Sequence, residues 1–280
     1  AACVAALVLS ACFGSSALQS VAEPVVKATD AMSSAEARYD RMMLSIGATV
    51  LAQAEQGIDV PFPIDAGGGY THEQHKQNAK TIYEAGLLYV YTGDVRYRDV
   101  ARDVLLDYAA LYPTLGIHPK KGNQSAGKLF WQGLNESVWL VYSIQGYAQI
   151  RDALSPEDRK TIEDGVLNPM ADFLSFGSPE TFDRIHNHGT WAAAAVGMTG
   201  YVLDQPDRVS AALMGLDLSG TGGFLAQLDQ LFSPDGYYAE GPYYQRYALM
   251  PFVLFAQAIA ENEPERKIFE YRDGILLKAI

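Results

Sequence analysis

Apolar residues recur at helical spacing along most of the chain. Between residues 35 and 56 they fall at Tyr39, Met42, Met43, Ile46 and Val50, which places them on one face of a helix. Comparable stripes predict further helices over residues 71–92, 95–111, 128–151, 156–176, 191–203, 224–232, 244–262 and 264–280. We find no convincing alternation of the kind that predicts a half-buried strand. The pattern therefore predicts an all-α fold.

The links between these helices are alternately short and long. Gly93-Asp94 allows only a turn, whereas residues 112–126 form a loop rich in proline, glycine and lysine. Loops of that length are often functional. Helices of similar length joined in this way predict antiparallel pairs stacked side by side, as in an (α/α) toroid. A generic helical bundle or solenoid is the alternative. We assign residues 35–280 to one toroid domain, a size that suits a single large domain.

Two helix starts carry their own signals. Thr71 and Gln74 have the spacing of a capping box. Ser155-Pro156 predicts a capped start with proline at the first helical position.

The segment Asp-Arg-Ile-His-Asn-His-Gly-Thr-Trp at 183–191 combines several polar side chains where a loop runs into a helix. The alanine-rich run over 191–203 predicts a helix that packs closely on its neighbours, which would hold polar groups at its start rigidly. A helix N-terminus also suits a carboxylate. Asn187 and His188 are therefore candidates for a catalytic site. The alternative is that Asn187 caps the helix and the histidines lie on the surface.

A second segment, at 233–247, is rich in tyrosine. It reads Ser-Pro-Asp-Gly-Tyr-Tyr-Ala-Glu-Gly-Pro-Tyr-Tyr-Gln-Arg-Tyr and begins with a Pro-Asp-Gly turn. Tyr244 and Arg246 lie at the start of the next predicted helix. The alternative is that these tyrosines serve packing or form a sugar-stacking surface.

The chain carries a net charge of −12, which argues against nucleic acid and against an acidic membrane surface as partners. An anionic polysaccharide remains possible, because binding depends on the charge near the cleft. The cations near the candidate motifs are Lys120, Lys121, Lys128, Arg184 and Arg246.

Residues 1–12 form a short apolar run that ends in Leu-Ser-Ala-Cys. The run is too short to span a bilayer and is typical of a signal-peptide core. Its end resembles a bacterial lipobox, so we predict lipidation at Cys12 and a lipid-anchored protein facing the periplasm. An ordinary signal peptide with a chance cysteine is the alternative. Residues 13–34 would then be a tether. Because Cys3 would be removed, we expect no disulfide.

Four segments together resemble the oligo-alginate lyases of polysaccharide lyase family seventeen, in the alginate lyase and heparinase II/III-like superfamily. They are Gly-Gly-Gly-Tyr-Thr-His-Glu-Gln-His-Lys at 67–76, Phe-Trp-Gln-Gly-Leu-Asn-Glu at 130–136, Asn-His-Gly-Thr-Trp at 187–191 and the tyrosine-rich block at 236–247. The resemblance implies a toroid followed by a β-rich C-terminal domain. We expect that domain, with its second catalytic tyrosine and zinc-binding histidine, to lie beyond this sequence, and we expect no cofactor within it.

The resemblance implies β-elimination on alginate, a polymer of uronic acids. Such a reaction needs a neutralised carboxylate, a base for the C5 proton and an acid for O4. Asn187 and His188 would neutralise the carboxylate, and His188 would also help in proton transfer. Tyr244 would be the catalytic acid, or both acid and base, and Arg246 would clamp a substrate carboxylate. The candidate groove residues are Tyr237, Lys128, Trp131, Gln132 and His72.

Three other interpretations stay open on sequence alone. His72 and His75 resemble a zinc-protease motif with one residue too few between them, and they would form a metal site with His186 and His188 only if the fold joined all four. A glycoside hydrolase would need two carboxylates across a cleft, with Asp183, Asp235 and Glu240 as candidates. A glycan-binding lipoprotein would use the tyrosines as stacking platforms.

Overall fold

The structure, a computed structural model, describes residues 35–58, 73–119 and 125–280. Its helices are α1 (Ala35–Gln56), α2 (Glu73–Thr92), α3 (Val95–Leu111), α4 (Gly133–Ile150), α5 (Pro156–Ile162), α6 (Asn168–Leu174), α7 (Pro179–Phe182), α8 (Asn187–Val202), α9 (Pro206–Met214), α10 (Gly223–Leu231), α11 (Pro242–Asn262) and α12 (Tyr271–Ala279). A π-helical segment, Glu163–Leu167, joins α5 to α6. Across these ranges the strand-like pairing is confined to one isolated bridge, between Phe232 and Tyr238.

Helices α2, α4, α8 and α11 form a continuous inner row, in which each packs on the next. The outer helices cover this row: α3 packs on α2, α6 and α9 pack on α8, and α10 packs on α9. Contacts between α8 and α11 advance in the same direction along both, from Asn187 with Glu240 to Gly197 with Phe255. The two helices therefore run parallel. The predicted all-α class and its toroid arrangement are confirmed.

The crossing of α2 and α4 depends on a pair of glycines. A Cβ atom added to Gly86 would lie 2.5 Å from the carbonyl oxygen of Gly146, and one added to Gly146 would lie 2.3 Å from that of Ile82. No side chain fits at such separations, so glycine at both positions lets the two backbones touch.

The starts of the inner helices lie along one edge of the fold. The ring of His75, in the first turn of α2, lies 5.7 Å from that of Phe130, just before α4. Ser125, in the loop before α4, bonds the hydroxyl of Thr181 in α7, the short helix that precedes α8. The start of α8 also contacts the segment before α11, through Asn187 and Glu240. Polar groups at the starts of α2, α4, α8 and α11 therefore lie along the same edge, where they could line a groove.

Helix α8 lies at the centre of the fold. Every residue from Asn187 to Gly200 is buried, including four consecutive alanines at 192–195. Small side chains allow α4, α6, α9 and α11 to approach the same helix. The sequence prediction of a closely packed alanine-rich helix is confirmed, and the polar residues in its first turn have little room to move.

Several element boundaries differ from the prediction, and the helix predicted over 264–280 is a 3₁₀ turn at Pro264–Arg266 followed by α12. Helix α8 begins at Asn187 rather than at residue 191, and α4 begins at Gly133 rather than at Lys128. Helix α9, which we did not predict, begins directly at Pro206. At α4 the reason is tertiary, because the carboxylate of Glu136 takes the backbone N–H groups of the preceding segment, as described below.

Several predictions concern residues outside the described ranges. These are the signal peptide at 1–12 with Cys12, the tether at 13–34, the cap residue Thr71, and His72, Lys120 and Lys121. Within the described ranges, no helix combines the length and the apolar character that crossing a membrane requires.

Candidate active site

The N-terminal end of α8 is capped by His186. Its backbone is extended, and its Nδ1 accepts a hydrogen bond from the backbone N–H of His188 at 3.3 Å. The alternative that Asn187 is the cap is therefore wrong. Asn187 instead lies inside the first turn, where its carboxamide is available for other contacts.

Gln227, on α10, anchors the loop before α8 from one side. Its Nε2 donates to the carbonyl of Arg184 at 2.7 Å, and its Oε1 accepts from the His186 N–H and the Thr190 hydroxyl, both at 3.1 Å. A Cβ atom on Gly189 would lie 2.1 Å from the same Arg184 carbonyl. Gln227 is completely buried, so these bonds form away from solvent. They fix the path of the chain into α8.

Glu240 anchors the start of α8 from the other side. Its carboxylate accepts the backbone N–H of Asn187 at 3.0 Å, the Asn187 Nδ2 at 2.6 Å and the hydroxyl of Tyr238 at 2.9 Å. Burial opposes its charge, but the bonds from Asn187 and Tyr238 outweigh burial and lower the pKa of Glu240. The anion expected at this helix N-terminus is thus a carboxylate of the chain itself.

His188 is neutral at pH 7. Burial, followed by the neighbouring His186 and Arg184, lowers the pKa of His188 to about 4, although Glu240 acts in the opposite direction. Its ring lies edge-on to that of His186, with centroids 4.9 Å apart. A neutral imidazole has one N–H donor and one acceptor nitrogen, so His188 can donate a hydrogen bond or accept a proton.

The register of α8 and α11 brings the two sequence motifs to the same end. The rings of Trp191 and Tyr247 lie 5.2 Å apart. His188 precedes Trp191 by three residues, and Tyr244 precedes Tyr247 by three, which is close to one helical turn in each case. Because the helices are parallel, His188 and Tyr244 both lie one turn nearer the N-terminal end. Tyr244 is 47% exposed.

Arg246 and Tyr237 flank Tyr244. The guanidinium carbon of Arg246 lies 4.6 Å from the ring centre of Tyr243. Tyr237 is exposed, and a Cβ atom on Gly241 would lie 3.8 Å from its hydroxyl, so Tyr237 leans toward the start of α11. The structure therefore places three predicted site residues, Tyr237, Tyr244 and Arg246, near the start of α11.

The segment from Lys128 to Gln132 is a series of bends held by Glu136. That carboxyl group accepts the N–H of Lys128 at 2.8 Å, the N–H of Leu129 at 3.4 Å and the hydroxyl of Tyr112 at 2.8 Å. Burial raises the pKa of Glu136 to about 7, although these bonds act to lower it.

The three predicted groove residues on these bends differ in exposure. The ammonium of Lys128 lies over the rings of Tyr112 and Phe173, at 5.3 and 5.5 Å from their centres. Gln132 is buried and Trp131 is partly exposed. Their roles in substrate binding stay predictions.

His75 belongs to the core. It is completely buried, its Nδ1 lies 2.7 Å from the hydroxyl of Tyr108, and its ring packs on Phe130. His75 therefore contributes to the packing of α2 rather than to an exposed surface. In the described part of the chain, no group of three His, Cys, Asp or Glu residues is placed to hold a metal ion.

The three carboxylates proposed for a hydrolase each hold their own segment. Asp183 accepts the N–H of Leu216 at 3.2 Å, and Asp235 bonds the hydroxyl of Ser233 inside its turn. Glu240 is directed onto Asn187. These contacts give the hydrolase interpretation no support.

Sequence reasoning missed the anchoring roles of Gln227, Glu136 and Glu240. Gln227 and Glu136 are polar residues that lie within mostly apolar helical runs, which is a signal for a buried polar contact. Glu240 had no local signal, because its partner Asn187 lies 53 residues earlier in the chain.

Comparison with known proteins places this chain in a family. The family model described as alginate lyase matches residues 55–279. Over 225 residues the chain is 66% identical to an exo-oligoalginate lyase of Saccharophagus degradans, which covers 80% of this chain and 31% of that protein. Over 233 residues it is 61% identical to an alginate lyase of Stenotrophomonas maltophilia, with 83% and 31% covered. The chain thus spans about a third of the length of these relatives. Because the family model matches most of the chain, the chain belongs to the alginate lyase family.

Proposed function

We propose that this chain is the toroid part of a polysaccharide lyase that cleaves alginate or oligo-alginate by β-elimination. The observation that carries the proposal is the rigid Asn187–His188 pair at the start of α8, beside the start of α11. Membership of the alginate lyase family, and the names of the two similar lyases, support the choice of substrate.

The first chemical requirement is neutralisation of the uronate carboxylate. As the C5 proton leaves, negative charge spreads into that carboxylate, so donors aimed at it stabilise the transition state more than the bound substrate. Asn187 has a second Nδ2 hydrogen for this purpose, and neutral His188 has one ring N–H. Both side chains are nearly buried, which strengthens such bonds and leaves little reorganisation for the moment of reaction.

The second requirement is proton transfer at C5 and O4. Tyr244 is the proposed proton donor to the leaving O4, and its exposed position at the start of α11 leaves it accessible to a polysaccharide. Arg246 is the proposed clamp for a substrate carboxylate. Its guanidinium carbon lies 4.6 Å from the ring centre of Tyr243, so a cation–π contact holds it near the start of α11.

Further substrate contacts are proposed on the family resemblance. They are Tyr237, Lys128, Trp131, Gln132 and His72. The partner is an anionic polysaccharide or oligosaccharide.

The proposal is tested with Tyr244→Phe in the full-length natural protein. The change keeps the ring and removes the transferable proton, so kcat on alginate oligomers should fall roughly 10³-fold or more, the scale of losing an essential proton donor. Calorimetric binding of an alginate trisaccharide should stay near parental, because binding and chemistry then separate. The neighbouring Tyr243→Phe is the matched control. Near-parental kcat in Tyr244→Phe would remove Tyr244 from catalysis.

Product absorbance separates the reaction classes. A lyase leaves a double bond conjugated with the carboxylate, which absorbs in the ultraviolet. A hydrolase would release reducing ends without that absorbance, and a glycan-binding protein would release neither.

We also propose that the protein faces the periplasm on a lipid anchor at Cys12. The lipobox-like end of the apolar run supports this. Cys12→Ser should move the protein into the soluble fraction, and failure of the parental protein to incorporate labelled fatty acid would refute the anchor.

A further inference from the structure

We propose that Glu240 is a positioning residue, which directs the Asn187 carboxamide toward the substrate carboxylate. Glu240 also occupies the backbone N–H of Asn187, so the substrate carboxylate does not bind that N–H group. The inference rests on the proposed function, because it names how the neutralising group of that site is oriented. Neither the family match nor the names of the relatives assign any role to this glutamate.

The geometry settles which end of the carboxamide faces Glu240. An ionised carboxylate has acceptor oxygens and no donor, so the Asn187 atom 2.6 Å from Oε2 has to be the nitrogen. One Nδ2 hydrogen is thereby used. The second Nδ2 hydrogen and the Oδ1 atom remain for other partners, and the hydrogen is the group that a uronate carboxylate needs.

Glu240 is itself held in place. The hydroxyl of Tyr238 donates to its Oε1, and the Tyr238 side chain is completely buried against Phe232 and Phe252. Gly241 follows with a φ of 88°, in the left-handed region that favours glycine. The carboxylate is therefore fixed relative to the first turn of α11, the turn that carries Tyr244.

Glu240 also occupies the place where an anion would bind the helix. Its Oε1 accepts the backbone N–H of Asn187, while the N–H of His188 bonds the His186 ring. A substrate carboxylate at this end of α8 would therefore meet side-chain donors rather than these two main-chain ones. His186 Nε2, at 3.9 Å, lies near the same carboxylate. One glutamate thus links the orientation of Asn187 to the position of the turn that carries Tyr244.

The test compares three variants of the full-length natural protein in steady-state kinetics. In Glu240→Gln the new side-chain amide can donate a hydrogen bond to Asn187 Oδ1. The Asn187 carboxamide can then rotate by half a turn, which exchanges the positions of its oxygen and nitrogen. We expect kcat to fall by roughly 10- to 100-fold, the range known for side chains that orient a metal-ligating group, with a much smaller change in KM. Glu240→Asp keeps the charge and should recover part of kcat. Glu180→Gln, at an exposed position on α7, should match the parent.

A double variant separates positioning from a merely structural role. If Glu240 acts through Asn187, adding Glu240→Gln to Asn187→Ala should cause no further loss of kcat. If the loss of kcat in the double variant equals the product of the losses in the two single variants, the inference is overturned. Parental kcat in Glu240→Gln would overturn it as well. A melting temperature close to parental in Glu240→Gln is expected, and a fall in melting temperature without a change in kcat would also count against positioning.

A crystal structure of Glu240→Leu decides the point without any activity measurement. The apolar side chain cannot hold the carboxamide, so Asn187 should leave its parental rotamer. Retention of that rotamer would overturn the inference. If the parental protein forms no unsaturated product, the proposed function fails, and this structure still decides whether Glu240 positions Asn187.

Discussion

The starts of α4 and α8 are built alike and behave differently. At α4, Glu136 accepts a tyrosine hydroxyl and two backbone N–H groups. At α8, Glu240 accepts a tyrosine hydroxyl, one backbone N–H and the side-chain amide of Asn187. Burial raises the pKa of Glu136, whereas the bonds to Asn187 and Tyr238 overcome burial and lower the pKa of Glu240. The same arrangement therefore holds only backbone N–H groups of a loop at α4, whereas at α8 it also holds a side-chain amide.

Glu136 and Glu240 differ in their exposure to solvent and in the third group that each one binds. Glu136 is completely buried, and its contacts fix the path of residues 128 and 129. Glu240 stands at a partly open site, where one of its partners is a side chain with a hydrogen to spare. We therefore expect changes at α4 to affect stability and changes at α8 to affect turnover.

Between these two helix starts, the largest expected effect is at Asn187. Asn187→Ala in the full-length protein removes the amide donor but leaves the backbone N–H bond to Glu240 in place. We expect kcat on alginate oligomers to fall about 10²-fold or more, as for loss of an oxyanion donor, with little change in the melting temperature. Asn262→Ala, at the exposed end of α11, is the matched control. A large loss of stability with parental kcat would make the α8 start structural, like that of α4.

Sequence alone predicted much of the scaffold. The bounds of α1 and α3 match the predicted ranges, because a continuous apolar stripe and a clear turn mark both. The Ser155 cap is confirmed by its bond from the N–H of Asp158 at 3.0 Å. Met42, predicted on the apolar face of α1, is exposed, whereas Met43 and Val50 of that face are buried.

The residues of the candidate site could be named from the sequence, but the side chains that hold the first turn of α8 could not. Asn187, His188, Tyr244 and Arg246 stood out because their motifs are local. The partners that hold the first turn of α8 come from α10 and from the loop before α11. Hydrophobic periodicity shows that such helices are buried, but it does not show which ones meet. Hydrogen bonds between distant segments therefore appeared only with the fold.

A pH experiment sharpens the comparison at α4. The pKa of Glu136 lies at about 7 in the folded protein against an ordinary value of 4.5, so the native state keeps a proton that the unfolded state releases. The contribution of Glu136 to stability should therefore fall as pH rises from 4.5 through 7, while His188, whose pKa is lowered, contributes in the opposite direction. Between pH 5 and 8 the loss should be about 2 kcal/mol.

Glu136→Gln removes this dependence. We expect the melting temperature of the variant, relative to the parent, to rise between pH 5 and pH 8, while kcat at fixed pH changes little. Exposed Glu180→Gln provides the control. Parallel pH profiles for Glu136→Gln and the parent would show that Glu136 does not titrate in this range.

The smallest expected effects come from the two tyrosines that support the carboxylates. Tyr112→Phe and Tyr238→Phe each remove one hydroxyl donor, to Glu136 and Glu240 respectively, and keep a buried ring in place. Each should cost about 1 kcal/mol of stability, the net value of one such bond. Only Tyr238→Phe should also lower kcat, by a fewfold, because only its carboxylate contacts a proposed catalytic side chain. Melting temperature and kcat measured on both variants form a matched pair. Equal effects on kcat would erase the distinction between the two helix starts, whereas a loss confined to Tyr238→Phe would show that the hydroxyl reaches the chemistry through Glu240 and Asn187.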